Sequence, residues 1–230
     1  MKVWQIRLKL YLLQDISVNR IQTAVTSFID FSFRKNEHFI QMHKENIFKN
    51  YVYDLPYPIE RDKVYKQGNV YTLTIRTIDA RMAAHFLEVC ANNYTKEMKG
   101  LTAEIRMIPK KHIDYIYNIT TAVLKDELGY WRKYMTIDDF EDRLKINLIK
   151  KWNFLGGERI DENFLLCTFL EFKNNVPIAV EYKNIKLLGD KFLMHISNHP
   201  IAQDLAYMAL GTGVLEMNSR GFGFVNYRWL

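Results

Sequence analysis

The order in which the hydrophobic period changes along the chain constrains the fold more than any single motif. Residues 2–13 alternate, with Trp4, Ile6, Leu8, Leu10 and Leu12 on one face and Gln5, Arg7, Lys9 and Tyr11 on the other. That is the period of a half-buried strand with a basic outer face. Ser17 stands at an N-cap position ahead of Val18, Ile21, Val25, Phe28 and Ile29, which recur at helical spacing. Residues 34–50 read as polar and irregular. Strand-like runs follow at 51–57, closed by Pro56 and Pro58, and at 70–78. A helical run at 80–94 carries Ala83, Ala84, Leu87 and Cys90, and a strand-like run at 102–108 carries Ala103, Ile105 and Met107. The order is β-α-β-β-α-β, a ferredoxin-like unit.

The same order then recurs. Residues 119–125 read as a strand. Thr136 and Asp139 form a capping-box pattern that opens a helix through Phe140, Leu144, Leu148, Ile149 and Trp152. Strand-like runs follow at 164–172, 178–182 and 192–196. Pro200 suits the first turn of a helix that ends at Gly211, and residues 222–227 close the unit. The second half carries at least one extra strand, so the repeat is one of topology, not of sequence. The expected fold is α+β: two tandem ferredoxin-like (RRM-like) domains at 1–116 and 117–230. No linker rich in Gly, Ser or Pro separates them, which predicts tight packing.

Four of the ten glycines sit near the C-terminus as two Gly-x-Gly pairs, Gly211 with Gly213 and Gly221 with Gly223, and Arg220 lies between the pairs. One such pair alone would read as a helix stop before a bulged strand. Two pairs flanking an Arg, in a chain of net charge +6, point to a phosphate or RNA contact through main-chain N–H groups. The glycines follow a helical run and precede a strand, the reverse of a P-loop or dinucleotide fingerprint. Residues 220–227 fit the RNP1 pattern of RRM domains, but only three residues follow, too few for the helix and strand an RRM still needs.

Fourteen Tyr, fourteen Phe and four Trp accompany the basic charge. Rings and cations together suit RNA, where bases stack and phosphates pair. Cys90 and Cys167 lie in apolar stretches and read as reduced, buried thiols of an intracellular protein. No run approaches the roughly 20 apolar residues of a membrane span. The alternating N-terminus differs from a signal peptide's apolar core, so a cytoplasmic location is expected.

Among the histidines, His85 and His195 sit in helix and strand patterns and read as structural. His195 and His199 lack nearby Cys or carboxylate partners in sequence and make a poor metal pair. His38 and His43 differ. They lie in the polar segment with Lys35, Lys44, Asn46 and Lys49, among groups that bind phosphate. The acidic cluster of Asp138, Asp139, Glu141 and Asp142 reads as a helix N-terminus, not as a two-metal site. A nuclease built from this sequence would therefore use a base, an acid and a cation, with no metal and no cofactor. Arg143, Lys145, Lys150 and Lys151 offer a basic helix face along which an RNA backbone could run.

With these residues in view, the chain resembles the CRISPR-associated endoribonucleases that cut repeat transcripts into guide RNAs. Their signature is a C-terminal Gly-x-Gly, spacer, Gly-x-Gly loop closing the second of two tandem ferredoxin-like domains, here Gly211, Gly213, Gly221 and Gly223. Residues 42–49, leading into 51–58, look like the family's catalytic-His segment, with Lys49 six residues after His43. The resemblance spans essentially the whole chain. It implies cleavage of precursor CRISPR RNA to 2′,3′-cyclic phosphate and 5′-hydroxyl ends. His43 and Lys49 would be catalytic, and the glycine loop with Arg220 would bind RNA. The partner implied is repeat RNA, with other effector-complex subunits and a second copy of the chain as further candidates. Many members place a catalytic Tyr on the first helix. Here that region offers Phe28, Phe31 and Phe33, with Ser27 and Ser32 as hydroxyls. Either His43 serves as both acid and base, or Tyr51 or Tyr53 substitutes, or turnover is slow. The alternative is a repeat-RNA binder of the same fold that does not cut. A third option is a small-anion-binding protein using the glycine loop.

Overall fold

A computed structural model describes the chain apart from Asn46, Gly157, Glu158, Asn184 and the side chain of His43. The first half runs β1 (Val3–Leu12), β2 (Ile16–Ser17), α1 (Val18–Phe33), α2 (Glu37–Lys44), β3 (Tyr51–Tyr53), β4 (Val64–Tyr65), β5 (Val70–Thr77), α3 (Ala80–Glu88) and β6 (Met98–Ile108). The second runs β7 (Ile113–Asn118), α4 (Ile137–Phe154), β8 (Cys167–Phe172), β9 (Ile178–Tyr182), β10 (Ile185–Gly189), β11 (Phe192–Ile196), α5 (Pro200–Thr212) and β12 (Val225–Trp229). The first sheet has the order β3-β5-β1-β6 and the second β12-β7-β11-β8. Numbered within its own unit, each is the same antiparallel arrangement, so two ferredoxin-like domains stand in tandem. Short β2–β4 and β9–β10 pairs decorate them.

The alternation of β1 does what its period requires. Ile6, Leu8, Leu10 and Leu12 are buried beneath α1 and α3, with Ile21, Val25, Phe28 and Ile29 of α1 opposite them. Burying each such side chain is worth about 1.5–3 kcal/mol, which holds α1 on the sheet although Ser17 makes no side-chain cap bond. In the second domain the capping box of Thr136 and Asp139 forms as expected. Cys90 and Cys167 are buried and unpaired. No described helix is long and apolar enough to cross a membrane.

Three elements differ from the sequence reading. Helix α2 occupies the stretch that reads as irregular. Its start is capped by the Asn36 side chain on the His38 amide, and Phe39 packs on Phe33 and His85. The strand expected at 119–125 lies earlier, at β7, and only isolated bridges at Ala122 and Val123 remain of it. The division between the sheets therefore falls between Ile108 and Ile113, a few residues before the expected 116/117. Helix α5 continues through Gly211 to Thr212 and packs on the first sheet. A Cβ on Gly211 would come within 2.7 Å of Ile78 Cγ2, so the two halves meet closely there.

Candidate active site

The segment from α2 to β3 faces the loop between α5 and β12 across a cleft of ≈ 410 Å³. Lys44, Lys49, Lys151 and Arg220 line it, against Glu45 and Glu216, so the cleft carries an excess of cations suited to a phosphate.

The loop is the more elaborate wall. Leu215 and Met217 take left-handed backbone at φ 55° and 62°, and a single 3₁₀ turn spans Asn218–Arg220. Asn218 ties it together. Its Nδ2 donates to Val214 O (2.9 Å) and Phe222 O (3.1 Å), while its Oδ1 accepts from Lys151 Nζ (2.7 Å). Lys151 also donates to Gly213 O (2.8 Å) and Leu215 O (2.9 Å). Only 3% exposed, Lys151 is held by the loop. Burial pulls it down to about 7, against the opposing charge of Glu216. It is not part of a solvated basic face. Lys145 also turns inward, onto Glu162 O and Phe164 O, and Arg143 reaches Lys125 O; Lys150 is the exposed member of that set.

The four glycines are buried. Gly221 sits at φ 83° with a Tyr53 ring atom 2.6 Å from where a Cβ would be, and at Gly223, φ 67°, a Cβ would overlap the Val214 carbonyl. Their amides are spent inside the protein: Gly213 N on Ala209 O (2.8 Å), Gly221 N on Asn218 O (3.0 Å) and Gly223 N on Thr121 O (2.9 Å). The expectation that these N–H groups point at an anion is corrected here. Gly211 and Gly221 let the loop pack against the first domain, Gly213 and Gly223 let it close on itself, and its outer surface is left to side chains. The RNP1-like stretch behaves similarly: Phe222 and Phe224 are core residues.

Arg220 Nη1 binds both oxygens of Asp30 on α1, at 2.9 and 2.7 Å. Burial, the largest single influence, disfavours its charge, but Asp30 together with Tyr51 and Tyr182 raises it above the ordinary arginine value. Gln22 of α1 donates to the Arg220 carbonyl (2.7 Å), so the first helix fixes this residue twice. Lys49 donates to Met42 O and to Glu45 O (2.6 Å), closing the C-terminal turn of α2 where a cation complements the dipole. Burial, then Arg220, lowers its ammonium below the usual lysine range. His43 lies on α2, but its side chain, and with it the role assigned to it, lies outside the described residues, as does Asn46. His38 is exposed near the start of α2 and packs on Phe39.

Tyr51 and Tyr53 are 2% and 0% exposed. The Tyr51 hydroxyl donates to Ser219 O (3.3 Å), and that of Tyr53 is hydrogen-bonded to Thr26 Oγ1 (2.5 Å). Burial raises both phenols. Both hydroxyls are engaged in these internal bonds, and of the two rings only that of Tyr51 lines the cleft. His199 stacks on Phe164, and His195 has a carboxylate neighbour after all, Asp114, brought beside it by the sheet. Among the described residues no three His, Cys, Asp or Glu side chains converge. Sequence reasoning missed Asp30 and Asn218. Their only signal is a polar residue at the edge of an apolar run.

The sequence profile of the family described as CRISPR associated protein Cas6, C-terminal, matches residues 115–227. No curated protein sequence matches the chain. Its fold is that of several solved structures. One is a CRISPR associated protein Cas6, at 20% identity and TM-score 0.71, covering 98% of this chain and 99% of that one. Another is a Cas6-related protein from Pyrococcus furiosus, at 20% and 0.70, covering 98% of each. A third is an RAMP protein described as binding different RNA substrates, at 17% and 0.72, covering 98% and 99%. The profile covers the domain that bears the glycine loop and the structural likeness covers both sheets; residues 115–227 belong to the family of the Cas6 C-terminal domain, and the whole chain has the fold of Cas6 proteins.

Proposed function

We propose that this protein cuts precursor CRISPR RNA within its repeats by a metal-independent transesterification. The cleft between α2 and the glycine loop, with Lys44, Lys49 and Arg220 on its walls, is the observation that carries this reading. An RNA phosphate seated there meets cations on both sides. The ribose 2′-oxygen attacks phosphorus, the P–O5′ bond breaks, one proton leaves the 2′-hydroxyl and one joins the 5′-oxygen. The products are a 2′,3′-cyclic phosphate and a 5′-hydroxyl. His43 is the proposed base, and with Tyr51 and Tyr53 buried and their hydroxyls hydrogen-bonded within the protein it also returns the proton. Lys49 and Arg220 stabilise the charge that develops on the phosphorane. The glycines Gly211, Gly213, Gly221 and Gly223 contribute by shaping the loop that presents Arg220 to the RNA.

The test is incubation of wild type and His43→Ala with labelled repeat RNA in EDTA. Cutting at one position by the wild type, and binding without cutting by the variant, is the expected result. If both cut, the base lies elsewhere. One observation favours a second reading, a binder that does not cut: both tyrosines near the cleft are buried, and Lys49 already serves α2. Tight binding of repeat RNA by wild type with no product in EDTA or in Mg²⁺ would establish it.

A further inference from the structure

The outer face of the second sheet, turned away from α4 and α5, carries a row of side chains that the cleft does not use. Strand registers place Phe169 of β8 beside His195 of β11, His195 beside Tyr115 of β7, and Tyr115 beside Arg228 of β12. One residue from each strand thus forms a line straight across the sheet, about 14 Å long at the usual strand spacing. Ring centroids are 6.2 Å apart for Phe169 and His195 and 5.2 Å for His195 and Tyr115, and the Arg228 guanidinium lies 6.0 Å over the Tyr115 ring. Tyr117, one row on, is 6.1 Å from Tyr115.

We infer that this row is a stacking platform for the unpaired bases of a single-stranded RNA, with Arg228 beside the backbone phosphates. The inference takes its ligand class from the RNA reading of the cleft. Cross-strand ring pairs also stabilise a sheet, but that role does not explain Phe169, which is 56% exposed on the row's outer end. Arg228, exposed at the other end of the row, is the cation that can meet a phosphate: Glu171 is matched by Lys173 at 2.6 Å, Asp114 is hydrogen-bonded to His195 at 3.2 Å, and the bond of Arg228 to the Tyr115 hydroxyl sets its fork beside that ring. Asp114 also fixes the plane of the imidazole through Nδ1. Flat rings with one fixed cation hold bases without reading a particular sequence.

The experiment is fluorescence anisotropy with two labelled RNAs of about twelve nucleotides. One is an unstructured alternating C and A strand; the other has the same length with abasic inner positions. Wild type, Phe169→Ala and Tyr115→Leu are compared at one salt concentration, with circular dichroism to confirm folding and repeat-RNA cleavage measured alongside. Each ring variant should bind the base-bearing strand about tenfold more weakly and the abasic strand as wild type does. Phe169 is exposed enough that its loss leaves the fold intact, and leucine keeps apolar bulk at 115. Equal binding of the base-bearing strand by all three proteins overturns the platform, as does an equal loss on both RNAs. If wild type cuts repeat RNA while the ring variants bind normally, the platform fails and the cleft reading stands. If the ring effect appears and wild type cuts nothing, the platform stands and cleavage fails.

Discussion

His85 shows how one buried side chain can tie the function of a segment to pH. It sits among Phe33, Phe39 and Phe86, with Nε2 3.0 Å from Ser32 Oγ. Burial, helped by the charge of Lys35, pulls it down to about 4. In the unfolded chain a histidine binds a proton near pH 6.5. Between those values the unfolded state holds more protons than the native one, so stability rises with pH through this window and is lost as pH falls. The melting temperature should therefore drop from pH 6.5 to 5, a range in which ordinary carboxylates remain ionised. His85→Gln, which keeps a polar group near Ser32, should flatten that slope. An unchanged slope in the variant would show that another group titrates. Since His85 packs on Phe39, the first element to loosen is α2, the helix that carries His43.

Helix α2 and the glycine loop together make the cleft, and they differ in how much of them could be read beforehand. The loop's glycines and Arg220 are visible in the sequence because two Gly-x-Gly pairs around an arginine are rare. What the glycines do is not visible, since the steric demand of Tyr53 on Gly221 arises only once the domains pack and that of Val214 on Gly223 only once the loop closes on itself. The mirror case is Lys151. It reads as one of four cations on an amphipathic helix, and only the folded loop supplies the three oxygens that bury it. The sequence alone puts this strand too late, because Ile119, Ala122 and Val123 are as strand-like as Ile113 and Ile116 of β7, and pairing with β11 and β12 decides between them. Helix α2 escaped notice because its eight residues carry one deeply buried apolar side chain, Phe39, and its stability comes from the cap and from α1. That makes it sensitive to its cap. Asn36→Ala should cost about 1 kcal/mol, felt locally. Hydrogen exchange should quicken across residues 37–44 while β1 and β5 keep their protection, and cleavage of repeat RNA should slow with them. Unchanged exchange in α2 would mean that Phe39 alone holds the helix.

At the scale of the whole molecule, the cleft exists only while the two domains keep their relative position, because one wall comes from each. Arg76 is the residue best placed to hold them. It is buried on β5 of the first domain, where its Nε binds Gln5 Oε1 (2.9 Å). Its Nη1 reaches Val225 O (2.6 Å) and its Nη2 Asn226 Oδ1 (2.7 Å), both on β12 of the second. Its guanidinium also lies 4.4 Å over Phe224 and 5.6 Å over Tyr227. Burial lowers it to about 10, which still leaves it charged at neutral pH. The planar fork makes two bonds to the second domain at once, which a lysine cannot reproduce. Arg76→Ala orphans a buried carbonyl and two side-chain amides, a loss of about 3 kcal/mol from groups worth about 1–3 kcal/mol each. Because the lost bonds join the domains, the cost falls on their coupling more than on either core. Scanning calorimetry should resolve two overlapping transitions where the wild type gives one, and Arg76→Lys should fall between them. RNA cleavage should decline with the coupling although no residue of the cleft has changed. A single transition at the wild-type temperature would show instead that α5, seated on the first sheet at Gly211, fixes the domains without the arginine.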